Sequence, residues 1–65
     1  MKLQYDREAD ALIITLRETA IRESDELGPG LIADYAESGD IVRLEILGAS
    51  TRIDDIEHID LATHP

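Results

Sequence analysis

The sequence predicts a single small α+β domain, mainly β, in which a four- to five-stranded antiparallel meander is followed by a short C-terminal helix. Apolar and polar residues alternate over residues 2–6, 11–17 and 31–47, the period expected of strands with one buried face. Glycine or proline separates the later runs, and helical spacing of isoleucines begins only after residue 52. With 65 residues the chain has room for one core, so residues 1–65 form one domain.

The first two runs are predicted to form a hairpin around a polar loop of four residues. This loop sets Asp6 opposite Ala11. Tyr5 then meets Leu12, and the apolar faces of the two strands coincide.

A third strand is predicted at residues 20–26, with an extended loop as the alternative. Its apolar residues are few, and Glu23 and Asp25 lie between them. Charged side chains are typical of a sheet edge, where they block unwanted strand pairing. The Gly28-Pro29-Gly30 sequence predicts a sharp turn after it, because proline cannot donate to a strand ladder.

Residues 31–47 predict the central hairpin. A two-residue turn at Ser38-Gly39 uses the freedom of glycine to adopt positive φ, and it pairs Tyr35 with Val42 and Asp34 with Arg43. A three-residue loop with a bulge is the alternative closure, and it shifts these pairs. In the first register, one face collects the apolar side chains Leu31, Ala33, Tyr35, Val42, Leu44 and Ile46. The opposite face is mixed and carries Ile32, Asp34, Ile41, Arg43, Glu45 and Leu47.

The C-terminal part predicts a helix of about two turns at residues 54–61. Ile53, Ile56 and Ile59 have nearly helical spacing and are expected to rest on the sheet. An aspartate at 54 or 55 suits the N-terminus of a helix, and residues 62–65 are expected to fray.

Composition limits the classes of partner. The net charge is −9, which argues against binding nucleic acid or an anionic membrane and permits a basic protein partner. There is no cysteine, so neither disulfides nor thiolate metal sites are available. No run is long enough to span a bilayer and no signal peptide is recognised, so a cytoplasmic location is expected.

The mixed face supplies the candidate interface. One short helix covers only one face of a sheet, so aliphatic side chains on the other face form a patch that needs a cover. A second copy of the chain is the simplest cover, which predicts a homodimer; another protein is the alternative, and scattered surface aliphatics are the third interpretation. The interface candidates are Ile13, Ile32, Asp34, Ile41, Arg43, Glu45 and Leu47.

Candidate chemistry is limited to two carboxylates. Asp34 and Glu45 lie on neighbouring strands of one face, and such a pair can perform acid–base chemistry or hold a hard cation. Their spacing with Gly39 also matches a calcium loop, but the flanking residues predict strands where that loop requires helices. His58 and His64 do not converge at helical spacing. No catalytic residue, metal ligand or cofactor is therefore predicted.

Two motifs resemble a known family. The YD-x-x-ADALII run at 5–14, the DYAESGDIVRLEIL run at 34–47 and Ala49-Ser50 resemble the bacterial domain-of-unknown-function family 2283. The resemblance covers about residues 3–52 and implies a small β-rich domain with no established activity. Members often lie beside toxin-like proteins of the ribonuclease class, which implies an antitoxin-like role. The expected function is a non-enzymatic, acidic interaction module; the alternative is a small metal-dependent or acid–base enzyme using Asp34 and Glu45.

Overall fold

A computed structural model describes residues 1–56 of the chain. Five antiparallel strands form one sheet: β1 (Lys2–Asp6), β2 (Ala11–Thr15), β3 (Glu23–Gly28), β4 (Leu31–Tyr35) and β5 (Ile41–Leu47), followed by helix α1 (Ala49–Arg52). The predicted mainly β architecture with one short C-terminal helix is confirmed. The spatial order is β1-β2-β5-β4-β3, so the third strand of the chain lies at the far edge of the sheet and not beside β2. β1 and β3 therefore form the two edges, and β5 lies at the centre.

The first hairpin has the predicted register. Asp6 pairs with Ala11, Tyr5 with Leu12, and the ladder continues to Lys2 and Thr15 at its other end. The turn is stabilised locally, because Oδ1 of Asp6 accepts hydrogen bonds from two amides of the turn at 3.0 and 3.2 Å. An Asx turn of this kind explains why the polar residues 7–10 connect the strands.

The central hairpin closes by the alternative route. The amide of Ala36 donates to the carbonyl of Asp40, and the carbonyl of Ala36 accepts from the amide of Gly39. This closure leaves a loop of three residues at 37–39, with Gly39 at φ 92°. This closure pairs Tyr35 with Ile41, so the predicted Tyr35–Val42 pair is wrong. A bulge at Val42 then restores the predicted register, with Asp34 opposite Arg43 and Leu31 opposite Ile46.

The bulge has a physical cause. The loop needs a glycine in a positive-φ conformation, while the apolar pattern of the strands fixes their register. The pairing set by the loop and the pairing set by the apolar pattern differ by one residue on β5. The extra residue is Val42, which is only 3% exposed. Its carbonyl accepts hydrogen bonds from the amides of Leu16 and Arg17 at 2.8 and 3.2 Å, which fixes the chain that leaves β2.

The third strand is an edge strand, as predicted, but it begins later. β3 spans Glu23–Gly28, whereas the prediction was 20–26. Residues 16–22 carry the chain from β2, past the end of the central hairpin, to the opposite edge of the sheet. Two exposed ion pairs lie along this connection: Arg17 with Asp40 at 3.8 Å and Arg22 with Glu37 at 3.1 Å.

The helix is the main correction to the predicted elements. It spans Ala49–Arg52, directly after Gly48 at φ 65°, and Asp54 and Asp55 lie beyond it in a turn. The rest of the predicted helix, with Ile59, and the tail at 62–65 lie outside the described residues. No helix among residues 1–56 is long and apolar enough to cross a membrane.

The core lies between α1 and one face of the sheet. Leu12, Ala49 and Ile56 form its buried centre, and Tyr5, Ile14, Ile46 and Ile53 pack around them. Ile53 and Ile56 therefore rest on the sheet as predicted, although from a turn instead of a helix. We call this side of the sheet the helix face and the opposite side the mixed face.

Candidate functional site

The mixed face brings four polar side chains together from three neighbouring strands. The register places Ser24 of β3 opposite Asp34 of β4, and Asp34 opposite Arg43 of β5. Cross-strand partners point to the same face, so these three side chains form one row across the sheet. Glu45 lies two residues along β5 on the same face, between Ile13 and Ile32 in the adjacent row.

Asp34 is the centre of this cluster. It is only 1% exposed, and it is the largest side chain among residues 1–56 that is completely buried. Its two oxygens accept hydrogen bonds from different donors: Oδ1 from the Ser24 hydroxyl at 2.5 Å and Oδ2 from Nε of Arg43 at 2.9 Å. Nη2 of Arg43 also lies 3.5 Å from Oε2 of Glu45. The buried charge is therefore paired and hydrogen-bonded, as burial requires.

The two carboxyl groups have pKa values displaced in opposite directions. Burial alone raises the pKa of Asp34, but hydrogen bonds from Glu45, Ser24 and Arg43 outweigh it and hold the pKa below its usual value. The hydrogen bond with Asp34 raises the pKa of Glu45, and burial and the negative charge of Asp34 act in the same direction. Asp34 therefore retains the negative charge, and Glu45 is the group that takes up a proton first.

This arrangement leaves neither oxygen of Asp34 open to a substrate. Both oxygens of Asp34 are engaged by protein donors, and Arg43 occupies the space beside it. No group of three potential metal ligands occurs within residues 1–56. The predicted pair of Asp34 and Glu45 is thus brought together as expected, but as part of an ionic cluster. His58 and His64 lie outside the described residues.

Aliphatic side chains border the cluster on the side of Glu45. Ile13 and Ile32 flank Glu45 and are partly buried, while Leu47 is 41% exposed at the end of β5. Ile41 does not join them, because the bulge at Val42 pairs it with Tyr35 and cross-strand partners share a face. Six of the seven predicted interface residues therefore remain on the mixed face: Ile13, Ile32, Asp34, Arg43, Glu45 and Leu47.

A second polar cluster, around Asp10, was missed in the sequence. Asp10 adopts φ 51° in the turn before β2 and accepts hydrogen bonds from Tyr5 at 2.5 Å and from the amide and hydroxyl of Ser50 at 2.9 and 2.7 Å. The hydrogen bond from Tyr5, followed by those from Ser50, lowers the pKa of Asp10. These contacts fasten α1 to the first hairpin. The only sequence signal was an aspartate at the end of a turn, where positive φ is tolerated.

Comparison with known proteins gives one match. The sequence model of a family described as "Protein of unknown function (DUF2283)" matches residues 2–50, most of the chain. The resemblance drawn from the two sequence motifs is thereby confirmed. No curated protein and no solved structure matches the chain.

Proposed function

Since the chain belongs to the DUF2283 family, whose description assigns no activity, we propose from its geometry that it is a non-enzymatic protein-interaction module. The observation that carries the proposal is the mixed face, where aliphatic side chains border an ionic cluster centred on the buried Asp34. α1, the one helix of residues 1–56, packs on the opposite face. A second protein surface is the cover that the mixed face lacks in this part of the chain.

We propose a second copy of the chain as the occupant. The core of residues 1–56 is small: four of its seven buried apolar residues are alanines, and only Leu12, Val42 and Ile56 are larger. Small domains without disulfides commonly gain stability by association. The mixed face also carries both charge signs, so a two-fold arrangement can place Arg43 of one copy beside Glu45 of the other.

Point variants test this occupant. Ile32→Asp is expected to lower the mass measured by sedimentation while the circular dichroism of the fold is retained. Ile32→Thr is a milder variant because it keeps the β-branched shape and adds no charge. Ile21→Asp is the matched control, because Ile21 is 39% exposed in the connection between β2 and β3. Leu44→Asp is expected to unfold the chain, since Leu44 pairs with Ile14 on the helix face.

Three outcomes would reject the homodimer. The first is a parent protein that is monomeric at high micromolar concentration. The second is a sedimentation mass that both Ile32 variants leave unchanged, and the third is an equal loss of sedimentation mass in Ile21→Asp. A parent protein that is monomeric and binds a basic protein would favour the antitoxin-like alternative. The net charge of −9 supports that alternative.

The enzymatic alternative is tested separately by thermal unfolding with calcium, magnesium or manganese. A rise of several degrees in Tm that Glu45→Gln abolishes would favour a metal site at Asp34 and Glu45. We expect no such rise, because Arg43 already supplies the positive charge beside these carboxylates.

A further inference from the structure

The two edges of the sheet differ in a way that bears on assembly. β3, at one edge, carries Glu23, Asp25 and Glu26, and all three are exposed. Antiparallel pairing of β3 with a second β3 would set carboxylates against one another in the registers that lay residues 23–26 of the two strands side by side, so this edge is protected against self-association. β1, at the other edge, has no proline, no bulge and no run of like charges.

The sequence of β1 is its own antiparallel complement. When two β1 strands, KLQYD, run antiparallel about a two-fold axis at Gln4, Lys2 of each copy faces Asp6 of the other. Leu3 then faces Tyr5, and Gln4 faces Gln4. A shift of one residue in either direction removes the contact between opposite charges. Lys2 is the only lysine in the chain, and it occurs at this edge.

Both faces of β1 fit such a pair. Leu3 and Tyr5 are half-buried on the helix face, where each would gain an apolar cross-strand neighbour. Lys2, Gln4 and Asp6 are exposed on the other face. Asp6 has an oxygen to offer: its Oδ1 accepts the two turn amides, and no residue of 1–56 donates to its Oδ2.

We infer that two copies of this chain pair through their β1 edges, in the register centred on Gln4, to form one continuous ten-stranded sheet. Within residues 1–56, β1 pairs on one side only, with β2. One open edge and one protected edge limit edge-to-edge pairing to two copies and prevent growth of the sheet into a fibre. This interface uses neither the mixed face nor its ionic cluster, so it goes beyond the proposed function.

A single introduced cysteine tests the register, because the natural chain has none. Residues directly opposite in an antiparallel pair have Cα atoms about 4.5–5.5 Å apart, which lies within the range that a disulfide spans. Gln4→Cys is therefore expected to form a covalent dimer rapidly under mild oxidation. Glu8→Cys is the control: it is exposed in the adjoining turn, but its counterpart lies at the far end of the paired strands.

Charge variants test the Lys2–Asp6 contact in the Gln4→Cys background. Lys2→Glu places like charges opposite each other twice and is expected to slow cross-linking roughly tenfold in dilute protein. Asp6→Asn keeps an oxygen for the turn amides while removing the charge. Combining it with Lys2→Glu is expected to restore much of the rate.

The inference is overturned if Gln4→Cys cross-links no faster than Glu8→Cys, or if Lys2→Glu leaves the rate unchanged. Repeating the reaction with Ile32→Asp distinguishes the two interfaces. Cross-linking that survives Ile32→Asp supports the β1 edge independently of the mixed face, and cross-linking that Ile32→Asp abolishes assigns the contact to the mixed face and refutes the inference.

Discussion

Removing the carboxylate of Asp34 is expected to destabilise the fold substantially. Asp34→Ala removes a carboxylate that is only 1% exposed and leaves the hydroxyl of Ser24 and Nε of Arg43 without their acceptor. Breaking a fully buried ion pair by removing one partner costs about 3–5 kcal/mol. The Arg43 side chain is 37% exposed and also lies beside Glu45, so part of that penalty is relieved. We therefore expect about 2–3 kcal/mol for Asp34→Ala.

Two further variants separate charge from hydrogen bonding. Asp34→Asn retains an acceptor for Arg43 and offers its amide to the Ser24 oxygen, so a smaller loss of about 1 kcal/mol is expected. Arg43→Met removes the other charge and keeps an aliphatic side chain. Because Asp34 and Arg43 are in direct contact, the double variant Asp34→Ala/Arg43→Met is expected to lose less stability than the two single changes added together.

Urea unfolding monitored by far-ultraviolet circular dichroism measures these differences. Each variant is compared at two protein concentrations, because association adds to the apparent stability and must be separated from folding. A loss below about 0.5 kcal/mol for Asp34→Ala would refute the reasoning, since that is the range of ordinary surface substitutions. If the losses of the two single variants add up to the loss of the double variant, Asp34 and Arg43 contribute independently. That result would also contradict the reasoning.

Three other predictions follow from the core, the raised pKa and the helix anchor. Leu12→Ala is expected to lower the free energy of unfolding in urea by about 2–4 kcal/mol, and Leu47→Ala by under about 1 kcal/mol, because Leu12 is 7% and Leu47 41% exposed. Equal losses for the two variants would contradict the described core. The folded-state pKa of Glu45 is raised, so the stability that its protonated form contributes is complete below about pH 4.5 and lost as pH rises through the raised value. Glu45→Gln keeps a donor toward Asp34 at every pH, and its urea midpoint relative to the parent should rise between pH 4.5 and neutrality. A constant difference would argue against a hydrogen bond from protonated Glu45 to Asp34. Asp10→Gly retains the positive-φ conformation but removes the carboxylate that anchors Ser50. Amide hydrogen exchange in α1 should therefore accelerate while that of β5 stays unchanged. Unaltered exchange in α1 would reject the role of Asp10 as the anchor of the helix.

The alternation of apolar and polar residues predicted most of the strands and most of their pairing. The alternation in residues 2–6 and 11–17 fixed the first register, because a slip of one residue would turn every apolar side chain to the wrong face. The same reasoning placed Asp34, Arg43 and Glu45 on one face and so predicted three of the four side chains of the ionic cluster. Whether the mixed face binds another chain stays a prediction.

Contacts distant in the sequence account for what was missed. The helix begins at Ala49 because Asp10, about forty residues earlier, accepts hydrogen bonds from the amide and hydroxyl of Ser50. Residues 49–52 carry no helix-start signal as strong as the aspartates at 54 and 55, so the local sequence predicted a later start. Ser24 joins the cluster only because β3 pairs with β4.

The sequence by itself determined where β1, β2, β4 and β5 lie and which of their sides are apolar, because side-chain alternation is a property of each strand alone. The tertiary structure decided the strand order, the bulge at Val42 and the displacement of Ile41, because each of these depends on two segments meeting. It also decided that Asp34 is buried, since no short window of sequence reveals that Ser24 and Arg43 will enclose a carboxylate from both sides.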